Sequence, residues 1–123
     1  MSVRHDFAET LSDEWAAIPA LADVRVVATE RELDELDRIT VLIRMRSVGK
    51  HAAAPLSHRQ VGLLVTLISP SLDLDVAADE LDEVLAAALD YFDSRFLYED
   101  ATTVGYADRL AFDIPVTLIA AKE

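Results

Sequence analysis

The sequence contains no cysteine among its 123 residues. It therefore has no disulfide framework, no thiolate ligand for a metal and no cysteine nucleophile. Glycine is also scarce, and its three copies are the widely separated Gly49, Gly62 and Gly105. Phosphate-binding loops and dinucleotide fingerprints need glycines at close spacing. The routes to nucleotide binding that depend on these two motifs are therefore excluded.

Long apolar runs are absent as well. Hydrophobic residues make up 52% of the chain, but they occur in short runs, and about 20 consecutive apolar residues are needed to cross a bilayer. Asp6, Glu9 and Asp13 interrupt the apolar residues near the N-terminus, so we expect no signal peptide, no membrane partner and synthesis in a cytoplasm. Because domains usually have about 100 to 200 residues, we expect residues 1–123 to form a single domain.

Acidic side chains are missing from one long stretch of an otherwise acidic chain. The chain has 23 acidic and 11 basic residues and a formal net charge of −12, yet neither Asp nor Glu occurs from Arg38 to Leu72. That stretch carries +5, so the other 88 residues carry −17. Such segregation gives a folded molecule two unlike electrostatic regions, which let copies of one protein attract each other. The pattern favours assembly over catalysis.

Residue types that often carry catalysis are present without the spacing that catalysis needs. None of the serines has the small flanking residues of a nucleophile elbow. His51 and His58 lie seven residues apart in a predicted loop, and His5 lies near the N-terminus, which matches no familiar metal-site spacing. We expect His51 and His58 to be exposed residues whose charge varies near neutral pH. The sequence predicts no enzyme activity, no metal site and no cofactor.

Apolar periodicity predicts two helices. Phe7, Leu11 and Trp15 recur at helical spacing and predict an amphipathic helix near the N-terminus. A second, longer helix follows Pro70, with Asp73 or Asp75 as its N-cap and acidic residues on its outer face. Its predicted buried residues are Leu81, Val84, Leu85, Ala88, Leu89 and Phe92.

Alternating and β-branched runs predict the strands. They cover residues 24–28, 40–47, 60–69, 96–98 and 110–119, with residues 99–105 as a polar connection. The 60–69 strand is apolar on both faces and is expected in the middle of the sheet. Pro115 cannot donate a ladder hydrogen bond, so the last strand is expected at an edge or beside a bulge.

These elements predict the α/β class. The expected architecture is an α+β sandwich, in which a mixed or antiparallel sheet of about four to five strands packs against the N-terminal helix and the long acidic helix.

The candidate contact residues lie in the acid-free stretch. Arg44 and Arg46 fall on one face of the 40–47 strand, which leads into a projecting 48–59 loop that is longer than common hairpin loops. Three interpretations are open: a solvated strand face, ion pairs between subunits, or contact with passing DNA. The net charge argues against nonspecific duplex binding. The candidates are Arg44, Arg46, Lys50, His51, His58 and Arg59.

The acidic face of the long helix is the candidate partner of that basic surface. It carries Asp79, Glu80, Asp82 and Glu83. Such a run commonly means only a solvated helix face. The alternative is that it meets the basic segment of an adjacent copy, where rim charges set orientation and encounter rate more than affinity.

Three segments carry a family resemblance. They are the loop feeding the strand from Gln60 to Pro70, the helix from Ala77 to Leu89, and the ending from Tyr106 to Ala121 with its strand from Leu110 to Thr117. Their order, after an N-terminal helix and two strands, resembles that of the tail terminator proteins of long-tailed bacteriophages, including those of actinobacterial phages. The likeness covers nearly the whole chain and is one of layout.

The resemblance implies a structural virion protein. Its subunits would form a hexameric ring that caps the tail tube, ends tube polymerisation and offers the joining surface for the head. The implied partners are other copies of the chain, the major tail tube protein and the head-tail connector protein, with DNA passing through the lumen. The implied location is the head-tail junction of the virion, after assembly in the host cytoplasm.

Two other functions stay open. One is another neck or tail-completion protein of the same kind of particle. The other is a small acidic chaperone or adaptor that binds a peptide segment of a partner, which would suit the small size and an exposed edge strand.

Overall fold

The structure is a computed structural model that describes residues 3–31, 33, 36–49 and 58–121, without the side chains of 58, 59 and 119–121. Within these ranges, two helices pack on one face of a six-stranded mixed sheet, which confirms the predicted α+β sandwich. The elements are α1 (Val3–Trp15), β1 (Arg25–Ala28), β2 (Thr40–Gly49), β3 (His58–Ile68), α2 (Leu74–Asp93), β4 (Leu97–Tyr98), β5 (Thr102–Tyr106) and β6 (Arg109–Ala121).

The central strand is β3, as the sequence predicts. The strand order is β1, β2, β3, β6 and β4, and β5 pairs with β6 beyond the end of β4. β3 pairs antiparallel with β2 and β6, whereas β1 runs parallel to β2 and covers only Thr40–Ile43 of it. A central strand is expected to be largely apolar, and β3 is apolar from Val61 to Ile68 except for Thr66.

The last strand is not at an edge, so that part of the prediction is wrong. β6 lies between β3 and the pair β4 and β5. The carbonyl of Pro115 accepts the N–H of Glu99 at 2.9 Å, at the place where the pairing register shifts between β4 and β5. In antiparallel strands the N–H and C=O of one residue face the same neighbour. The missing N–H of Pro115 therefore faces this irregular segment. This agrees with the second part of the prediction, which placed Pro115 beside a bulge.

A strand that the sequence does not predict lies in the supposed polar connection. Thr102–Tyr106 forms β5 and makes a hairpin with β6. The turn residues Ala107 and Asp108 have φ values of 47° and 64°. Two positive φ values are typical of a type I′ turn, whose usual sequence signal is Asn-Gly or Asp-Gly. Ala-Asp gives no such signal, and the predicted number of strands is therefore too low.

The strands β2 and β3 are longer than predicted, which shortens the loop between them. β2 ends at Gly49 and β3 begins at His58, so both ends of the predicted 48–59 loop are in strands. The remaining part, residues 50–57, lies outside the described residues.

Aromatic side chains join the two helices over the sheet. Phe92 of α2 is fully buried and contacts the ring of Phe7 at a centroid distance of 6.4 Å and that of Trp15 at 6.2 Å. The predicted N-cap is confirmed for Asp73, whose Oδ1 accepts the N–H groups of Asp75 and Val76 at 3.0 and 3.2 Å. The cap and the aromatic contacts fix where α2 begins and which side it buries.

One partly buried polar contact ties the helices together. The hydroxyl of Tyr91 donates to Oε1 of Glu14 at 2.9 Å, and the guanidinium of Arg95 lies 4.3 Å from the Tyr91 ring centroid. Burial, and then the hydrogen bond to Glu14, raise the pKa of Tyr91 from 10.0 to about 12.

The same substitution at two positions of α2 separates burial from helix propensity. Leu81 is 0% exposed and Leu74 is 60% exposed. We predict that Leu81→Ala lowers the free energy of unfolding by about 2–5 kcal/mol because it leaves a core cavity. Leu74→Ala should change it by no more than about 0.5 kcal/mol. Urea unfolding measures both, and equal losses would contradict the placement of α2.

A pH dependence follows from Tyr91. Its raised pKa means that the folded protein keeps a proton that the unfolded chain releases, so this contribution to stability is complete below the unfolded pKa near 10.0 and is lost as the pH rises through about 12. We predict that the difference in unfolding free energy between wild type and Tyr91→Phe shrinks from about pH 9 to about pH 11. Urea unfolding at both values tests this, and a constant difference would contradict it.

Candidate subunit-contact surface

The helices form an acidic layer on one side of the molecule. Both pack on the same face of the sheet, because their buried residues share one core with the inward residues of β2, β3 and β6. We call the exposed acids of these helices the acidic helix layer. They are Asp6, Glu9, Asp13, Glu14, Asp75, Asp79, Asp82, Glu83, Asp90 and Asp93.

Three of the four acidic residues predicted to meet a partner belong to that layer. Asp79, Asp82 and Glu83 are exposed. Glu80 is half-buried and accepts hydrogen bonds from the hydroxyls of Ser69 at 2.9 Å and Ser71 at 3.3 Å. Glu80 therefore joins α2 to the end of β3 and offers less of its charge to a partner.

The opposite face of the sheet is covered by no helix among the described residues. Leu33 and Leu36 of the β1–β2 connection, with Val104 and Tyr106 of β5, cover one half of it. The hydroxyl of Tyr106 accepts the N–H of Leu33 at 2.9 Å, which holds this cover in place. In the other half, the central residues Leu64, Pro115 and Thr117 remain partly exposed. We call this half the open face.

Arg44 lies on the open face and is bonded within the chain. Its Nη2 donates to Oγ1 of Thr66 at 3.1 Å, and Thr66 donates in turn to Oδ1 of Asp113 at 2.7 Å. These bonds link β2, β3 and β6. Arg44 is half-buried, and its buried Nε finds no acceptor among the described residues. Arg44 therefore supports the sheet and presents only part of its charge to a partner.

Arg46 is at a bulge on the edge of the sheet. The register between β2 and β3 shifts between Met45 and Ser47, so Arg46 is the extra residue. Its Nη1 lies 2.6 Å from Oε2 of Glu99, and the two side chains are 52% and 66% exposed. Because β3 and β6 lie between these residues, the ion pair crosses the sheet. An exposed pair of this kind contributes about 0–1 kcal/mol, so either partner exchanges readily.

The other basic candidates are placed less fully. Lys50 and His51 lie outside the described residues. His58 and Arg59 belong to β3, and the structure describes their backbone alone. In the described part of the chain, no three His, Cys, Asp or Glu residues are arranged to hold a metal ion.

The outer half of β2 pairs with β3 on one side and has no neighbouring strand on its other side among the described residues. β1 ends its pairing at Ile43, and the carboxylate of Glu30 then accepts the N–H of Met45 at 3.1 Å and pairs with Arg4 of α1. The bond from Met45, followed by that from Arg4, holds the pKa of Glu30 below its ordinary value. Residues 46–49 follow, all exposed. We call them the β2 edge.

Exposed apolar side chains mark positions that the sequence interpretation misses. Val48, on the β2 edge, is 55% exposed, and Leu97, on β4, is 71% exposed. Three more occur at the start of α2, namely Leu72, Leu74 and Val76. Their alternation with Asp73 and Asp75 is a signal in the sequence. Exposure of Val48 and Leu97 depends on strand order, which the sequence does not reveal.

Neither a family model nor a curated protein matches this sequence. None of the helices in the described ranges combines the length and apolar character needed to cross a membrane.

The hydrogen-bond chain through Thr66 gives a prediction. Thr66 is 1% exposed, so Thr66→Val leaves Nη2 of Arg44 and the carboxylate of Asp113 without their shared partner. We predict a loss of about 1–3 kcal/mol in the free energy of unfolding. Thr117→Val makes the same change on the same face and should stay within about 0.5 kcal/mol. Similar losses for both, measured by urea unfolding, would contradict a structural role for Arg44.

Proposed function

We propose that this chain is a structural virion protein that forms a ring on the end of a phage tail tube, ends tube polymerisation and provides the head-to-tail joining surface. The observation that supports the proposal is the separation of charge. Exposed acids cover the helix side, whereas Arg46, an exposed arginine of the acid-free stretch, lies on the β2 edge. The family resemblance supplies the ring of six copies and the tail tube protein and connector as partners.

Separated charges favour a repeated contact between unlike surfaces. When the surface on one copy differs from the surface it meets on the next, the contact repeats around a ring or along a filament. A net charge of −12 makes copies repel at long range, so local complementarity has to orient them. The proposal therefore needs a basic edge that faces outward, and the exposed β2 edge meets that need.

A second candidate function has its own support. In the described part of the chain no strand pairs with the outer edge of β5, and Thr102, Thr103 and Gly105 are exposed there without lysine or proline to discourage pairing. An edge of this kind suits an adaptor that binds an extended peptide. Affinity capture separates the candidates, because the adaptor retains one client protein, whereas the ring protein retains tail tube or head-connector protein.

Tube polymerisation tests the leading proposal directly. Purified tail tube protein is assembled with and without this chain, and tube lengths are measured by electron microscopy. We expect added protein to stop elongation at low ratios of chain to tube subunit, because a cap acts only at ends. Unchanged lengths together with unchanged growth rates would contradict the proposal.

Charge reversal at the β2 edge gives a residue-level prediction. Arg46→Glu should reduce ring formation and tube capping at least several-fold, because its charge orients the neighbouring copy. The free energy of unfolding should change by no more than about 1 kcal/mol, since the pair with Glu99 is exposed. Arg31→Glu, at another exposed arginine, makes the same change in net charge and should cap normally. Equal capping by both variants would remove Arg46 from the contact.

A further inference from the structure

The β2 edge and β4 lie on opposite edges of the sheet and are level with each other along the strand direction. Ser47 on the β2 edge pairs with Gly62, Gly62 pairs with Thr117, and Thr117 pairs with Leu97 of β4. This row runs across the sheet from edge to edge. A copy placed beside another by simple rotation would therefore bring the β2 edge of one copy next to β4 of the other.

Each of these edges exposes a large apolar side chain. Val48 pairs with the buried core residue Val61, so it lies on the helix side of the sheet, whereas Leu97 lies on the open face with its partner Thr117. A contact between these two edges would shield Val48 on the helix side of the joined sheets and Leu97 on the open face. Burying such side chains supplies the affinity that exposed charges do not.

The charges of the two edges are opposite. Arg46 lies on the β2 edge, and Glu99 and Asp100 directly follow β4, all of them exposed. Arg46 and Glu99 already pair within one copy across the sheet. In a row of copies, Arg46 would lie beside Glu99 of the neighbouring copy, and an exposed pair exchanges partners at little cost.

We infer that neighbouring copies join edge to edge, with the β2 edge of one copy pairing with β4 of the next. The inference rests on the proposed function and names its subunit contact. The two edges are different surfaces, so the contact is heterologous and leads to a ring when the rotation closes. Backbone hydrogen bonds between edge strands, with Val48 and Leu97 shielding the seam, hold the copies together.

The absence of cysteine allows a clean cross-linking test. Ser47→Cys and Leu97→Cys place thiols at the two ends of the row. Within one copy these positions are about 14 Å apart, because three strand spacings of about 4.8 Å separate them. A disulfide needs Cα atoms about 4.4–6.8 Å apart, so a bond between these positions joins two copies. Assembled protein is oxidised and analysed by nonreducing electrophoresis.

The expected result is a specific pattern of cross-links. In an equal mixture of the two single variants, a Ser47→Cys copy has a Leu97→Cys copy at its β2 edge about half of the time, so up to about half of the monomer should convert to dimer. The double variant should give a ladder that ends at the ring size. Each single variant alone should assemble but run as a monomer in nonreducing electrophoresis. The control mixture of Leu74→Cys with Leu97→Cys pairs two exposed positions that the contact does not bring together, and it should not cross-link.

Three results would overturn the inference. Dimers of Ser47→Cys alone would show an isologous contact at that edge. Rings that form without cross-links in the mixture would place the contact elsewhere, while leaving the proposed function standing. Failure of the wild-type chain to assemble, even on tail tubes, would remove the proposed function together with this contact.

Discussion

The burial of β3 on both faces is the constraint on which the structure depends. Leu63, Val65 and Leu67 need cover on one side and Thr66 and Ile68 on the other, and all five are 0–1% exposed. The two helices cover the first side at these three residues. On the second side, the β1–β2 connection and β5 cover only half of the sheet. The partly covered half and the strand edges beside it are therefore the surfaces that the proposed contact uses.

The same constraint separates the charges. A helix that packs one stripe against β3 must turn its polar residues to water, and here those residues are acidic. The basic stretch becomes sheet instead, where Arg44 is held by Thr66 and Asp113 while Arg46 reaches the edge. The one-residue bulge therefore leaves Arg46, and not Arg44, free to meet a partner. Glu30 closes the ladder just before that bulge, so the open edge begins at Arg46.

The features predicted from the sequence are those that depend on local signals. The apolar character of β3, the helical stripe around Leu81 and the Asp73 cap are all written in neighbouring residues. β5 escaped prediction because its turn, Ala107–Asp108, lacks the usual signal. The position of Pro115 and the role of Arg44 depend on strand order and on partners such as Asp113, far away in the sequence. Hence the charge segregation and the two candidate arginines, Arg44 and Arg46, were predictable, whereas the difference in their exposure was not.

The most direct measurement is cryo-electron microscopy of tail tubes mixed with this protein. The account predicts a closed ring at the tube end, six copies in the resemblance-based proposal, with the sheet of each copy continuing into that of the next through the β2 edge and β4. Acidic helices would then face away from the seam. Isolated copies, protein bound along the tube sides, or tube ends without protein would contradict it.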